Sequence, residues 1–532
     1  MMPLPLLRAP PFPGIDPAVA SLDAGPSDRP LDLAGGVEIA RSMAAARVGG
    51  CFWGRQVEGR RRLIVLGVGE ALPAGPLDDA VVVADAPQAA ARGAVQVARD
   101  VDPWPLIEGA EQIVADPADE IAMLALAAGR PVTDPTGRLV GDAGGEEVAR
   151  ALLGRAYRDP FTGDPFDAAA VVALLASWRR QIDANRGLAA AAGMAFWKRA
   201  EVARLLWDGR AGELPFLKPD AALALAQREG GAVAAWPARV PADFAEQAAA
   251  AGVPVRWVED GFLRSAGLGS DLLPPLSLSV DAGWPYFDPA RPSRLETILA
   301  TATFDAALLA RAAALREAIV DRRIGKYRVG GAEETLDLSP AARLVVVIGQ
   351  VEDDLSVLRG GGGLTNLSLL ERARAAEPAA MIVYRPHPDV EAGHRRGAIP
   401  DPVAARLVDR IDRGGSLDAL LARADALHTL TSLTGFEALL RGVAVVVHGG
   451  PFYAGWGLTD DRGPPLPRRT RQLSLDELVA GALILYPRYL DPRHGLPCTP
   501  EQFINGLGRG VVDAGWLVRL RRWQGRLRRL LG

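Results

Sequence analysis

Apolar residues fall in short dense runs along the chain, separated by longer Ala/Leu/Arg-rich stretches with helical periodicity. The runs read as buried strands: "RRLIVLGVG" from Arg61, "AVVVAD" from Ala80, "GAVAAW" from Gly231, "VPVRWVE" from Val253, "LVVVIGQ" from Leu344, "MIVYRP" from Met381 and "VAVVVHGG" from Val443. Strands alternating with amphipathic helices predict an α/β protein built on parallel sheets. The first fifty residues are rich in proline and glycine and weakly patterned.

The pattern repeats itself. "YRDPFTGDPFD" from Tyr157 matches "YLDPRHGLPCT" from Tyr489 at Tyr, Asp, Pro, Gly and Pro. "ADPADEIAMLALAAGRPV" from Ala115 lies over "HTLTSLTGFEALLRGVAV" from His428 without a gap. Further upstream, "LIVLGVGEAL" resembles "VVVIGQVEDDL", and "VVVADAP" resembles "IVYRPHP". Four matches in one order predict a duplicated lobe. The copies part at polar positions: Ala86 stands in the first for His387 in the second, and Ala118-Asp119 for Thr431-Ser432. The first copy reads as a scaffold without the functional groups, and Trp53-Gly54-Arg55 as a relic of a shortened preceding lobe.

The totals narrow the picture. A chain of 532 residues holds about two to four domains. A net charge of -4 gives no electrostatic reason to expect nucleic acid as a partner. Two cysteines, Cys51 and Cys498, make no disulfide framework and fit a reducing compartment. The proline-broken N-terminus has no charged region of the signal-peptide kind, which argues against a secretory leader. No apolar run is long enough to span a bilayer.

Five stretches carry candidate chemistry. In "VRWVEDGFLRSAGLGS", Glu259 and Asp260 end an apolar strand, where parallel sheets place ligands. Two adjacent carboxylates repel, and Arg264 is a candidate counter-charge. Alone, "EDG" reads as a solvated loop with a helix-capping acid; the frame around it shifts the balance. "VVVIGQVEDDLSVLRGGGG" runs from a strand into Glu352, Asp353, Asp354 and four glycines, either a ligand-approaching loop or a flexible acidic one. It lacks the Gly-Lys-Ser/Thr ending of a Walker loop. "YRPHPDV" holds His387 between two prolines after Arg385, which suits a phosphate contact or a rigid core turn. A metal reading is poor, because His394 lies seven positions on and no cysteine joins the pair. "TSLTGFEALLRG" places Thr431, Ser432 and Thr434 at a helix start near Gly435, with Glu437 in the first turn; such a start binds phosphate or is simply capped. The loop "GGPFYAGWG" that follows is of a type often functional. Last, "WLVRLRRWQGRLRRLLG" from Trp516 sets six arginines among Trp and Leu. It reads as an amphipathic helix for an anionic membrane surface, or as one packed back on the protein.

These motifs, in this order, resemble those of the capsular-polysaccharide β-Kdo transferases. The resemblance covers about Phe196 to Cys498, with the second of the family's two transferase modules complete and the first degenerate. It implies a GT-B-type glycosyltransferase fold: a degenerate first module over 1–185, an acceptor-side lobe over 186–340, a donor lobe over 341–500 and a basic tail over 501–532. It implies transfer of Kdo from CMP-β-Kdo to a lipid-linked Kdo acceptor with retention, and "GQVEDD" points to a β-2,7 linkage. Glu259 and Asp260 would be acid/base groups and Asp354 the nucleophile. His387, with Arg385, Thr431 and Ser432, would meet the donor phosphate, and Glu437 the ribose. No metal and no separate cofactor are implied. The implied setting is the cytoplasmic face of the inner membrane, with a separate capsule transferase and export machinery as further partners. The family's Trp-Gly-x-Lys appears here as Trp236-Pro237-Ala238-Arg239, and its Lys-Tyr-Asn as Lys326-Tyr327-Arg328. A non-catalytic assembly subunit, or a transferase for another CMP-activated ulosonic acid, are the alternative readings.

Overall fold

The computed structural model describes residues 5–67, 70, 72–73, 75–85, 93–141, 144–263, 274–324, 343–393 and 395–507. The chain folds as two compact units. The first comprises Met1–Gly187 together with Leu206–Leu214, and the second Leu188–Leu205 with Pro215–Gly532. Leu206–Leu214 thus returns to the first unit, where Trp207 meets Phe12 edge to face and its carbonyl accepts from Asn185 Nδ2.

The first unit is built on β1 (Arg62–Val65), β2 (Ala80–Val83), β3 (Val95–Val97), β4 (Gln112–Val114), β5 (Val132–Thr133) and β6 (Leu139–Val140). They lie in the order β3-β2-β1-β4-β5-β6, parallel except for β5–β6. The weak early pattern hides structure: a strand at Asp23–Pro26 and a helix at Leu33–Ala45, capped by Asp32. Its glycines and alanines mask a helix because their small side chains leave little hydrophobic contrast; Gly36 packs against Ala149 and Leu153.

The second unit begins with β7 (Leu188–Ala192), β8 (Phe216–Leu217), β9 (Ala232–Ala235), β10 (Val255–Asp260) and β11 (Ser277–Asp281). The chain then builds a second sheet from β12 (Leu344–Ile348), β13 (Met381–Arg385), β14 (Arg410–Ile411), β15 (Ala426–Thr429), β16 (Ala444–Val447) and β17 (Asp460–Asp461). It returns to the first sheet as β18 (Pro487–Leu490) and β19 (Pro497–Cys498). The order β8-β7-β9-β10-β11-β18-β19 is mixed rather than parallel throughout, because β11 and the returning strands pair antiparallel. The second sheet, β14-β13-β12-β15-β16-β17, is parallel across its width. Every residue of β12 and β15 is buried, as expected where helices cover both faces of a parallel sheet.

In chain order that second sheet runs 3-2-1-4-5-6, and so does the sheet of the first unit. The likeness reaches the register. Tyr157 pairs with Phe166 and Arg158 with Pro165, as Tyr489 pairs with Cys498 and Leu490 with Pro497. Gly163 N–H bonds to Asp159 C=O in one hairpin, and Gly495 N–H to Asp491 C=O in the other. The helices Glu120–Ala127 and Leu433–Leu440 occupy matching places, capped by Asp119 and Ser432. They differ before the hairpin. Tyr157 donates to Leu152 C=O, five residues back, but Tyr489 to Leu483 C=O, six back. The second copy takes up the added length in a π-helical turn, Ala480–Leu485.

A buried pair of imidazoles sits in the parallel sheet. His428 on β15 and His448 after β16 are 0% and 2% exposed, with Nδ1 of the first 3.2 Å from Nε2 of the second. Burial pushes both down to about 4. On unfolding, both rings regain their ordinary pKa of 6.5 and take up protons that the native pair refuses. Stability should therefore fall as pH drops from 6.5 towards 4, by on the order of 3 kcal/mol for each ring. Urea denaturation across that window measures it, and a His428→Asn/His448→Asn variant should show a flatter pH dependence.

Candidate active site

Parallel sheets leave their polar chemistry at the carboxyl ends of the strands, where loops and helix N-termini meet. A cleft of about 960 Å³ in the second unit is lined from both of its sheets. Glu259 and Asp260 come from the end of β10, Asp354 from the loop after β12, His387 from the turn after β13, and Thr431 and Ser432 from the turn after β15. These six line one cavity. Arg385 and Glu437 do not. Arg385 pairs with Asp412 at 2.6 Å and so braces the loop after β14. Glu437, 6% exposed, lies inside the helix Leu433–Leu440.

The acid pair has a cation that the sequence reading missed. Lys198 Nζ lies 2.9 Å from Asp260 Oδ1 and 3.6 Å from the centre of the Trp236 ring. Arg264, the expected counter-charge, lies outside the described residues, as do His394, Lys326-Tyr327-Arg328 and the tail from Trp516. Lys198 stands 62 positions from Asp260, so only the folding of β7 beside β9 and β10 brings them together. An aromatic followed by a basic residue in "FWKR" was the one available signal.

On the opposite wall, three side chains cap short helices. Asp354 Oδ1 accepts from the N–H and the hydroxyl of Ser356, at 2.9 and 2.7 Å, at the start of Leu355–Gly360. His387 Nδ1 accepts the Asp389 N–H at 3.2 Å. In the neutral ring that this bond requires, the proton sits on Nε2, which makes that nitrogen a donor. Ser432 Oγ accepts from Thr434 N–H at 3.2 Å, and Tyr453 Oη donates to Ser432 C=O at 2.5 Å. Gly435 is required there, because a Cβ would fall 2.2 Å from Tyr453 Oη. The acid Asp353 pairs with Arg395 at 3.2 Å, and that arginine holds its carboxyl below the usual range against the opposing effect of burial.

Two loops act differently from their appearance in sequence. The glycine run Gly360–Gly363 does not line the cleft. Gly360 C=O accepts the Gly450 N–H at 2.7 Å, and a Cβ on Gly449 would lie 2.5 Å from that carbonyl. The run is a packing contact. From "GGPFYAGWG" only Phe452 reaches the cavity, while Tyr453 and Trp456 are fully buried. Phe452 stacks on Phe262, the residue after the acid-bearing turn, with centroids 4.2 Å apart. Among the described residues no group of three or more His, Cys, Asp and Glu converges to hold a metal ion, and no helix is long and apolar enough to cross a membrane.

Residues 231–489 match the family described as capsule polysaccharide biosynthesis protein. The chain is 43% identical over 341 residues to the capsule polysaccharide modification protein LipA of Neisseria meningitidis, covering 63% of this chain and 48% of LipA. It spans about half the length of the curated relatives it matches. Among solved structures, the KpsC beta Kdo 2,4 transferase of Thermosulfurimonas dismutans is 32% identical, with a TM-score of 0.52 over 60% of this chain and 98% of that one. The KpsC beta Kdo 2,7 transferase of the same organism is 34% identical, with a TM-score of 0.49 over the same shares. The family match falls within the unit that carries the cleft, and the chain belongs to the capsule polysaccharide biosynthesis family, that of the capsular Kdo transferases.

Proposed function

We propose that the second unit is a GT-B-type glycosyltransferase that moves Kdo from CMP-β-Kdo to a lipid-linked Kdo acceptor with retention of configuration. One observation carries this reading: a carboxylate pair on one sheet and a carboxylate, an imidazole and two hydroxyls on the other line a single cleft. Retention by double displacement needs a carboxylate nucleophile and a second group for proton transfer. Asp354 is assigned the first role. Glu259 and Asp260, the latter paired with Lys198, are assigned the proton transfer. The leaving CMP carries phosphate charge. His387 Nε2–H and the Thr431-Ser432 turn at a helix N-terminus are the donors assigned to it.

The β-2,7 linkage is proposed from the "GQVEDD" motif, and an acceptor delivered at the cytoplasmic face of an anionic membrane from the basic tail. The first unit is proposed as a transferase lobe that has lost its site. Its strand order and hairpin register support that, as does Asp119, which takes the capping place of Ser432 and pairs with Arg99 at 2.7 Å. An acid there would repel a phosphate.

The test is purified full-length protein with CMP-Kdo and synthetic Kdo-lipid acceptors. A β-linked product resolved by NMR is expected. No transfer, with CMP-Kdo intact, would favour an assembly subunit; transfer only from another CMP-activated ulosonic acid would move the donor assignment. Within that assay, Asp354→Asn should remove turnover while CMP affinity stays within about twofold of wild type. His387→Ala should weaken CMP binding roughly ten- to hundredfold as well as slow the reaction, because a charge-assisted hydrogen bond is worth about 1.5–3 kcal/mol. Calorimetry with the two patterns exchanged would exchange the roles.

A further inference from the structure

Gln350 follows β12 at the point where the strand order reverses, between β12 and β15. Its backbone is clamped on both sides by one side chain. Asn366 Oδ1 accepts the Gln350 N–H at 2.9 Å, and Asn366 Nδ2 donates to the Gln350 C=O at 2.7 Å. Asn366 is 1% exposed and is held in turn: its N–H donates to Glu352 Oε1 at 2.7 Å, and its Nδ2 also reaches Gly397 C=O at 2.9 Å. Gln350 itself is 7% exposed. A side chain fixed this firmly at the rim of a cleft can impose an orientation on its neighbours.

The direction it imposes follows from which groups can only donate. The Thr431 backbone N–H meets Gln350 Oε1 at 2.8 Å. An amide N–H cannot accept, so the oxygen end of the glutamine must face it. Thr429 Oγ1 lies 3.3 Å from the same oxygen and adds a second, weaker donor. The amino end, Nε2, then lies 3.0 Å from Thr431 Oγ1, and it can only donate. The hydroxyl of Thr431 is thereby forced to accept from Gln350. Its own proton cannot point back at the glutamine and is left for another acceptor. Thr431 lines the cleft.

We propose that Gln350 is a positioning residue: by donating to the Thr431 hydroxyl it turns that hydroxyl's proton into the cleft, as a ready hydrogen-bond donor to the phosphate of the donor nucleotide. This rests on the donor reading above and adds a residue and a reason to it. The orientation is set before the ligand arrives, so binding does not have to reorganise it. Gln350 need not touch the ligand. It acts through Thr431.

The test uses full-length protein, with CMP as the probe, by calorimetry at about pH 8, where carboxylates are ionised. In Gln350→Glu the side chain keeps an acceptor for the Thr431 N–H but can no longer donate. The hydroxyl must now donate to the glutamate, and its proton turns away from the cleft. CMP affinity should fall roughly ten- to hundredfold. Thr431→Val, which removes the hydroxyl at nearly constant shape, should lower it about tenfold in the wild-type background. Added to Gln350→Glu it should cost nothing further, a coupling that a merely structural glutamine would not produce. Thermal denaturation shows whether each variant folds. If Gln350→Glu does not fold, Gln350→Met, which removes the donor without adding charge, takes its place in the same coupling test with Thr431→Val. Unchanged CMP affinity in a folded Gln350→Glu or in Thr431→Val overturns the proposal and leaves the donor reading standing, as does full additivity of the two. If wild-type protein binds neither CMP nor CMP-Kdo, the donor reading fails and this proposal fails with it.

Discussion

The stack of Phe262 on Phe452, with centroids 4.2 Å apart, sets the geometry of the cleft. Phe262 leaves the acid-bearing strand end two residues after Asp260 and enters a core shared with Leu344 and Val346 of the second sheet and Phe436 of the helix Leu433–Leu440. Tyr286 meets it edge to face at 4.8 Å, and Tyr486 stacks at 6.1 Å. Buried aromatic contacts of this kind contribute about 0.5–1.5 kcal/mol each beyond the area they bury. Their larger effect is positional: the acids cannot move without dragging an aromatic out of a packed core. The returning chain reinforces this. Tyr486 Oη donates to Asp281 Oδ2 at 3.0 Å just before β18 pairs with β11. Burial raises the Asp281 carboxyl above its ordinary pKa, and backbone amides of Arg294 and Gly283 work against that rise.

With one wall fixed by aromatics, the other is fixed by hydrogen bonds at the reversal of strand order. Crevices at such reversals collect ligands because neighbouring loops leave to opposite sides of the sheet. Here the crevice is filled from below by Gln350 and Asn366 and edged by Asp354, His387 and Thr431. The first unit carries the same order of strands and the same hairpin register. At the matching helix start it presents an aspartate tied to Arg99. Two sheets of one design thus hold different polar edges.

The longer buried strands β1, β2, β9, β10, β12, β13 and β16 were legible, since runs such as "LVVVI" and "MIVYR" have little other use, whereas the short strands β3 to β6, β14 and β17 and the polar-ended β15 were not. The matching hairpin was legible too, because it depends on local turn chemistry: the Asp, Pro and Gly spacing of "YRDPFTGDPFD" encodes its own register. The acid, histidine and hydroxyl positions of the cleft could be named because each sits at the end of a strand or the start of a helix. What failed was everything set by long-range packing. Lys198 is joined to Asp260 only through the order of β7, β9 and β10. Arg385 and Glu437 do not line the cavity, and Arg385 pairs with Asp412, a partner that its position in sequence does not announce. The glycines at 360–363 looked like a ligand loop, and they answer to the close approach of Gly449 and Gly450. The helix at Leu33–Ala45 has too little hydrophobic contrast to be read, and the π-helical turn at Ala480–Leu485 has no periodicity signal of its own.

The central proposal is that the second wall of this cleft holds the phosphate of a CMP-activated sugar. A crystal structure of the full chain soaked with CMP tests that most directly. The account predicts the phosphate within hydrogen-bond distance of His387 Nε2 and Thr431 Oγ1, with the cytidine over the carboxyl ends of the second sheet and Glu259 facing it across the cavity. A nucleotide bound elsewhere, or bound in this cleft with its phosphate against Lys198 and Arg239, would contradict it.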